Sequence, residues 1–175
     1  MSARQHTANL HTPNLHTPMS ETPLILPQLA PLYETLAPIS QALLRVVVGL
    51  WMVPHGLRMS FGFFPTTGLP QRSVRMLAVD LDKWGYRPGW FWAPLISATE
   101  LIAGPMLALG LFTRLACVPL VLFLIVTNFE RWRVGRYFWN KLGMEYTLMW
   151  LVATFYFLIH GGGLYSLDHL IGREF

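Results

Sequence analysis

Charged side chains are scarce in this sequence. Asp, Glu, Lys and Arg make up 13% of its 175 residues, against about 25% in an ordinary soluble domain. Cysteine is almost missing, since Cys117 is the single one, which excludes an intramolecular disulfide and a CxxC redox pair. No basic patch interleaved with aromatic residues is found, so we expect no nucleic-acid partner. A cleavable signal peptide is not expected either.

Apolar residues, by contrast, make up 53% of the chain and fall into long blocks. Blocks of this length predict membrane-spanning helices, with the lipid bilayer as the surrounding solvent. The fold expected is an all-α membrane protein, an antiparallel bundle of four transmembrane helices with a short amphipathic helix in the first loop. The predicted spans are residues 40–59, 90–112, 115–129 and 144–160.

The first 39 residues differ in composition from the rest. His6, His11 and His16 recur in a polar repeat; a metal-binding tail is one interpretation, but the spacing matches no zinc site, and we expect a disordered tail. Residues 24–38 are apolar but broken by Pro27, Pro31 and Pro38, so we expect no spanning helix there but a segment that lies along the membrane surface or against the bundle. The division predicted is therefore a tail, 1–39, and a membrane domain, 40–175.

Lysine and arginine are concentrated in the predicted first and third loops. Cytoplasmic loops of membrane proteins carry an excess of these residues. We therefore expect those two loops to be cytoplasmic and both termini to be extracytoplasmic.

Glu100 lies near the middle of the second predicted span. A carboxylate at that depth costs about 2.5–3.5 kcal/mol on insertion scales, so an ionisable residue there is a candidate functional group. A structural pair with a histidine or an arginine is the alternative. Several polar residues at the ends of other spans fall in the same half of the bundle: His55, Asn128, Glu130, Glu145 and Tyr146. Of these, Glu130 is more simply a solvated loop charge.

We interpret these residues as a protonatable pocket for a small amphipathic ligand, and a quinone suits it because its head group needs proton donors and acceptors. The candidate catalytic residues are His55, Glu100 and Glu145, and the candidate ligand-binding residues are Arg45, Arg58, Asn128 and Tyr146. Purely structural roles are the alternative for two of them. Glu145 would be a favourable charge at the start of a helix, and His55 would form a hydrogen bond between helices. No metal or haem is predicted, because His55 and His160 lie at opposite ends of the bundle.

Three stretches of the sequence together resemble parts of a known family: LLRVVVGLWMVPHGLRMSFG, TELIAGPMLALGLFTRLA and EYTLMWLVATFYFLIHGGGLYSLD. In this order they resemble the opening helix, the Glu-containing second helix with its G-x-x-T-R turn, and the closing helix of the DoxX family. The resemblance implies a four-helix protein of the bacterial inner membrane, linked to sulfur or oxidative-stress redox chemistry. Some relatives, the DoxD-type proteins, are the large subunit of a thiosulfate:quinone oxidoreductase. A membrane or soluble redox partner protein is accordingly expected, and a homo-oligomer is possible.

The function predicted is thus a quinone-interacting subunit of a membrane oxidoreductase system. Whether the chain is itself an enzyme stays open. The alternatives are a non-catalytic scaffold or assembly subunit for a partner protein, and a small proton-coupled transporter that uses Glu100. Against the transporter, no inverted repeat of broken segments is visible.

Overall fold

The chain folds into helices joined by short connections. The structure is a computed structural model that describes residues 25–65 and 71–173; the predicted disordered tail and its histidine repeat lie outside these ranges. Within them there is no strand, and two short 3-10 turns, Pro27–Leu29 and Trp139–Lys141, accompany the α-helices. The α-helices are α1 (Ala30–Phe61), α2 (Val74–Trp84), α3 (Gly89–Leu109), α4 (Thr113–Arg133), α5 (Met144–His160) and α6 (Leu167–Ile171).

Three of the described helical segments are long and apolar enough to cross a membrane: Pro27–Phe61, Gly89–Leu109 and Thr113–Arg133. They contain the first and third predicted spans and most of the second, since α3 ends at Leu109 whereas the predicted span ends at residue 112. The fourth predicted span coincides with α5, which has 17 residues. The amphipathic helix predicted in the first loop is α2, and Ser73 begins it by accepting a hydrogen bond from the Met76 amide through its side chain.

The predicted start of the first helix was wrong. Residues 30–38 form the first turns of α1, so the helix begins ten residues before the predicted span of residues 40–59. Pro31 occupies the first turn, where a missing amide N–H costs nothing. Pro38 lies inside the helix, and because it has no amide N–H, the backbone carbonyl four residues earlier lacks its helical partner. That carbonyl belongs to an exposed part of the chain. Proline at these two positions therefore does not end the helix.

Small residues let α1 and α3 approach closely. A methyl group placed on Gly104 would lie 2.9 Å from the Gly49 carbonyl oxygen and 3.1 Å from the Met52 Cβ. Interfaces of this kind are typical of membrane helices, whose association depends on close packing. The second main pair is α4 with α5, and α2 packs on α3.

The two helix pairs are joined by polar contacts at one end of the bundle. Arg45 of α1 donates to the backbone carbonyls of Gly162 and, at 2.7 Å, Tyr165. Asp168 of α6 accepts hydrogen bonds from the Phe112 amide and from the Thr113 amide and hydroxyl, at 2.6, 2.8 and 2.6 Å. These contacts tie α1, the α3–α4 turn and the chain after α5 together, and we call them the polar clasp.

Candidate functional site

A cavity of about 620 Å³ lies between the α1–α3 pair and the α4–α5 pair. It occupies the half of the bundle away from the polar clasp, because its wall begins at Trp51 in α1 and reaches no further than Glu100 along α3 and Trp150 along α5. Most of the wall is apolar. Its ionisable side chains are His55, Arg58, Tyr86, Glu100, Glu130, Arg131, Arg136 and Tyr146.

Glu100 is the most enclosed acidic group of this cavity. Its side chain is 6% exposed. Within the described part of the chain its Oε2 atom is buried and has no hydrogen-bond partner. Arg58 is the charged residue that interacts with it electrostatically. A buried polar oxygen without a partner costs the folded protein about 1–3 kcal/mol. A contribution to folding stability therefore does not explain Glu100 at this position, whereas a ligand or a bound proton would.

His55 and Arg58 reach the cavity from α1, one turn apart. Arg58 is 4% exposed and donates to the Gln71 backbone carbonyl at the start of α2. His55 interacts electrostatically with Arg58 and Arg131. The structure thus places His55 and Glu100 in the lining of one cavity, and Arg58 is the charged residue that acts on the carboxyl group.

Tyr146 contributes to a group of aromatic rings that line the same cavity. Its ring lies edge-on to Trp150, with centroids 5.4 Å apart, and Trp150 lies 5.9 Å from Trp51 of α1. All three residues line the cavity. Flat aromatic faces of this kind favour a planar ring as a ligand.

The other predicted site residues lie away from the cavity wall. Asn128 is buried between α4 and α5, where it accepts a hydrogen bond from Thr147, which does line the cavity. Glu145 accepts a hydrogen bond from the Trp139 amide in the preceding turn. Arg45 belongs to the polar clasp at the opposite end.

Two of the lining residues, Glu130 and Arg131, have the sequence pattern of solvated loop charges, and the sequence alone does not assign them to the site. Arg131 instead donates to the backbone carbonyls of Leu142 and Gly143, the latter at 3.3 Å. Glu130 accepts a 2.7 Å hydrogen bond from the Tyr86 hydroxyl. Burial and this bond raise the pKa of Tyr86 to about 12. In the sequence, the one sign of their position is that they directly follow the apolar block of residues 115–129. In the structure, the two helical turns before them also line the cavity.

Tyr86 and Glu130 connect the two sides of the cavity mouth. Tyr86 lies between α2 and α3, and Glu130 is on α4, where it also pairs with Arg133 at 3.0 Å. The cavity is therefore bounded at this end by a polar bridge between the helix pairs. Among the described residues no cluster of three or more histidine, cysteine, aspartate or glutamate side chains is placed to hold a metal ion.

The chain matches a known protein family over the region that forms most of the cavity. The DoxX family model matches residues 40–130, which is just over half of the chain. The chain belongs to the DoxX family. The chain is also similar to a protein from Mycobacterium tuberculosis strain ATCC 25618 / H37Rv, described as "Uncharacterized membrane protein Rv3486". The two are 26% identical over 147 residues, which cover 78% of this chain and 84% of the relative. No solved structure matches the chain at a comparable level of significance.

The DoxX match covers both sides of the cavity. It includes α1 from residue 40 onward, α2, α3 and nearly all of α4. His55, Arg58 and Glu100 therefore lie within the DoxX region, whereas Tyr146 and Trp150 lie after it.

Proposed function

We propose that this DoxX protein is a quinone-interacting subunit of an oxidoreductase system in the bacterial inner membrane. The observation that carries the proposal is the Glu100 carboxyl group, 6% exposed and with Oε2 lacking a hydrogen-bond partner among the described residues, on the wall of a cavity of about 620 Å³. That volume falls in the range of small-molecule sites, roughly 300–1,000 Å³, which are mostly apolar with a few placed polar groups.

A quinone head group matches the polar groups of this wall. Its two carbonyl oxygens accept hydrogen bonds, which a protonated Glu100, the His55 ring and the Arg58 guanidinium can donate. Reduction of a quinone to a quinol adds two electrons and two protons. In this proposal an electron-donating partner protein supplies the electrons, while Glu100 and His55 exchange the protons.

The rest of the cavity matches the remainder of the ligand. Tyr146, Trp150 and Trp51 offer aromatic faces to a planar ring. The apolar wall residues include Leu95 and Leu122, which are 48% and 60% exposed on the outer surface of α3 and α4. An isoprenoid tail would therefore pass from the cavity into lipid along these helices.

The proposal includes a membrane arrangement in which α5 is the fourth span. Its 17 residues extend about 26 Å as an α-helix, close to the hydrocarbon thickness of about 30 Å. Four spans place both termini on one side. The end of the bundle that holds Arg58, Arg131 and Arg136 would be cytoplasmic by its excess of positive charge.

Binding of a quinone to the purified protein tests the proposal. Native tryptophan fluorescence in detergent or nanodiscs should be quenched as ubiquinone or menaquinone is added, since Trp51 and Trp150 line the cavity. Glu100→Gln and His55→Ala should each weaken binding about fivefold, the value of a hydrogen bond of about 1 kcal/mol between neutral groups.

The matched controls are Glu34→Gln and His160→Ala, which alter exposed side chains outside the cavity wall. Both should leave the binding curve unchanged. Quinone affinity that is equal in wild type, Glu100→Gln and His55→Ala would refute the proposal. A stoichiometric protein partner that co-purifies with a chain unable to bind quinone would favour the scaffold function instead.

A further inference from the structure

The cavity has an opening at its side, along α3 and α4. Four of its lining residues are also exposed on the surface of these two helices: Trp92, Leu95, Leu122 and Val126. Both helices are long and apolar enough to cross a membrane, where exposed apolar side chains contact lipid. A lipid-soluble ligand therefore has a lateral route from the bilayer into the cavity.

A hydrogen bond crosses this opening at one end. Leu122, Val126 and Glu130 line the cavity and recur every four residues on α4, so they form one row along the helix. Tyr86 lies in the short connection that leads into α3, and its hydroxyl donates a 2.7 Å hydrogen bond to Glu130 Oε1. The bond thus joins the beginning of α3 to the end of α4.

Each partner of this bond is held from its own side of the opening. The Tyr86 amide donates to the Leu81 carbonyl at 2.9 Å, and the Tyr86 ring packs against the apolar cluster between α2 and α3. Glu130 lies one helical turn before Arg133, which donates to the same Oε1 atom at 3.0 Å. Because the two side chains are positioned by different helices, their hydrogen bond must break when the opening widens.

The opposite end of α3 and α4 is fixed by the polar clasp. Three residues join the two helices there. The Asp168 amide donates to the Gly110 carbonyl at 2.9 Å, while the Asp168 carboxylate accepts from the amides of Phe112 and Thr113. The α1–α3 and α4–α5 pairs also pack less on each other than within themselves. Movement between the pairs would therefore pivot at the clasp and be largest at Tyr86 and Glu130.

We propose that the Tyr86–Glu130 hydrogen bond is a latch across the side opening of the cavity, which breaks to admit a lipid-soluble ligand from the bilayer. Packed elements that move about a fixed end are a common means of controlling access to a site. The latch rests on the proposed function for the role of the cavity, because it governs access to that same site. Its test follows entry of a probe and does not measure quinone binding.

The rate at which a buried thiol reacts tests the latch. Met52→Cys places a thiol in the cavity lining, at a position that is 5% exposed. Its reaction with the lipid-soluble probe pyrene maleimide, measured in nanodiscs, follows the fraction of molecules that are open. Tyr86→Phe removes the donor hydroxyl and keeps the ring. It should raise the rate about tenfold, the lower value for a hydrogen bond to a charged group. An unchanged rate would overturn the proposal.

Glu130→Ala tests the other partner of the bond. It should raise the rate as much as Tyr86→Phe does, and the double variant should react no faster than the faster single variant, because both substitutions remove one interaction. A double variant whose rise is the product of the two single rises would contradict the latch.

Two controls alter neighbouring groups and leave the bond intact. Arg133→Gln removes the ion pair of Glu130, and Tyr137→Phe removes the hydroxyl of an exposed tyrosine; neither residue is part of the cavity wall. Both variants should react at the wild-type rate. A rise in either control equal to that of Tyr86→Phe would overturn the proposal.

The native Cys117 distinguishes opening of the cavity from loosening of the whole bundle. It is 0% exposed in the apolar core and does not line the cavity, so it should stay unreactive in every variant, as peptide mass spectrometry will show. Labelling of Cys117 in Tyr86→Phe at the rate of the Met52→Cys thiol would overturn the latch. Faster entry of the probe into a protein that binds no quinone would support the latch and refute the quinone function alone.

Discussion

At the scale of single residues, Asp168 shows how much one side chain can organise. It is 2% exposed and accepts hydrogen bonds from the amides of Phe112 and Thr113 and from the Thr113 hydroxyl. The two amides belong to the start of α4, so the carboxylate also meets the positive end of that helix. A residue near the end of the chain thereby fixes the tight turn between two membrane helices.

Replacing Asp168 with Asn should destabilise the protein by about 3 kcal/mol, because an amide provides one acceptor oxygen where the carboxylate has two, and its NH₂ group would face a donor. The measurement is the free energy of unfolding in mixed micelles with increasing SDS. Asp80→Asn is the control: Asp80 binds Gln71 at 3.0 Å and Lys83 at 3.5 Å on the exposed helix α2, and contacts of this kind are worth less than about 1 kcal/mol. Equal effects of the two substitutions would contradict the role assigned to Asp168.

A charge that is improbable in lipid is the clearest residue-level signal in the sequence. Glu100 stands out because nothing else in its block is charged, and it lines the cavity together with His55, Arg58 and Tyr146. Arg45 could not be placed in this way, since its partners are backbone carbonyls of Gly162 and Tyr165, which carry no signal in the sequence. In the sequence, the charge of a buried arginine suggests a bound ligand. In the structure, backbone carbonyls accept the hydrogen bonds of Arg45 and thereby satisfy it within the fold.

At the scale of helices, the α1–α3 interface depends on the absence of side chains. Gly104→Ala should push the two helices apart, because the new methyl group would lie 2.9 Å from the Gly49 carbonyl oxygen, a backbone atom that has no freedom to rotate away. We expect a loss of about 1–3 kcal/mol, the usual cost of overpacking, in the same SDS titration.

Val118→Ile is the control for this prediction, since it adds one methylene group to α4 at a position that is 44% exposed and should change the stability by less than about 0.5 kcal/mol. The Gly104→Ala variant should also weaken quinone binding, because α1 and α3 carry His55 and Glu100, which line one cavity. A variant as stable as wild type would show that the helices separate without cost.

The start of α1 shows the limit of element prediction. Three prolines in residues 24–38 argued against a helix, yet α1 begins at Ala30. Pro31 lies in the first turn and Pro38 in an exposed stretch, and neither fact can be read from the sequence before the helix start is known. By contrast the bounds of α5 agree with the apolar run of residues 144–160, because Gly143 and Gly161 flank that run at both ends.

At the scale of the whole molecule, the polar contacts are divided between the two ends. The polar clasp closes one end through Arg45 and Asp168, whereas the other end is bridged by Tyr86 and Glu130 around the mouth of the cavity. The sequence predicted that polar groups share the cavity half, since depth along each span follows from residue count. It could not predict which helices pair, because pairing depends on how the facing surfaces pack, as Gly49 and Gly104 do between α1 and α3.

The proposed membrane arrangement, four spans with both termini extracytoplasmic, predicts a labelling pattern. The segment Pro27–Phe61 has 35 residues, about 52 Å as a helix, so its first turns extend beyond a hydrocarbon core of about 30 Å. Under the proposal, cysteines introduced at Glu34 and Leu164 should react with an impermeant maleimide in intact spheroplasts. Cysteines at Arg75 and Tyr137 should react only after permeabilisation, because the proposal places them on the cytoplasmic side. The native chain is the background control, because Cys117 is 0% exposed. Reaction at Tyr137 and Leu164 from the same side would show that α5 does not cross the membrane, and the reverse labelling pattern would show that the cavity mouth faces outward.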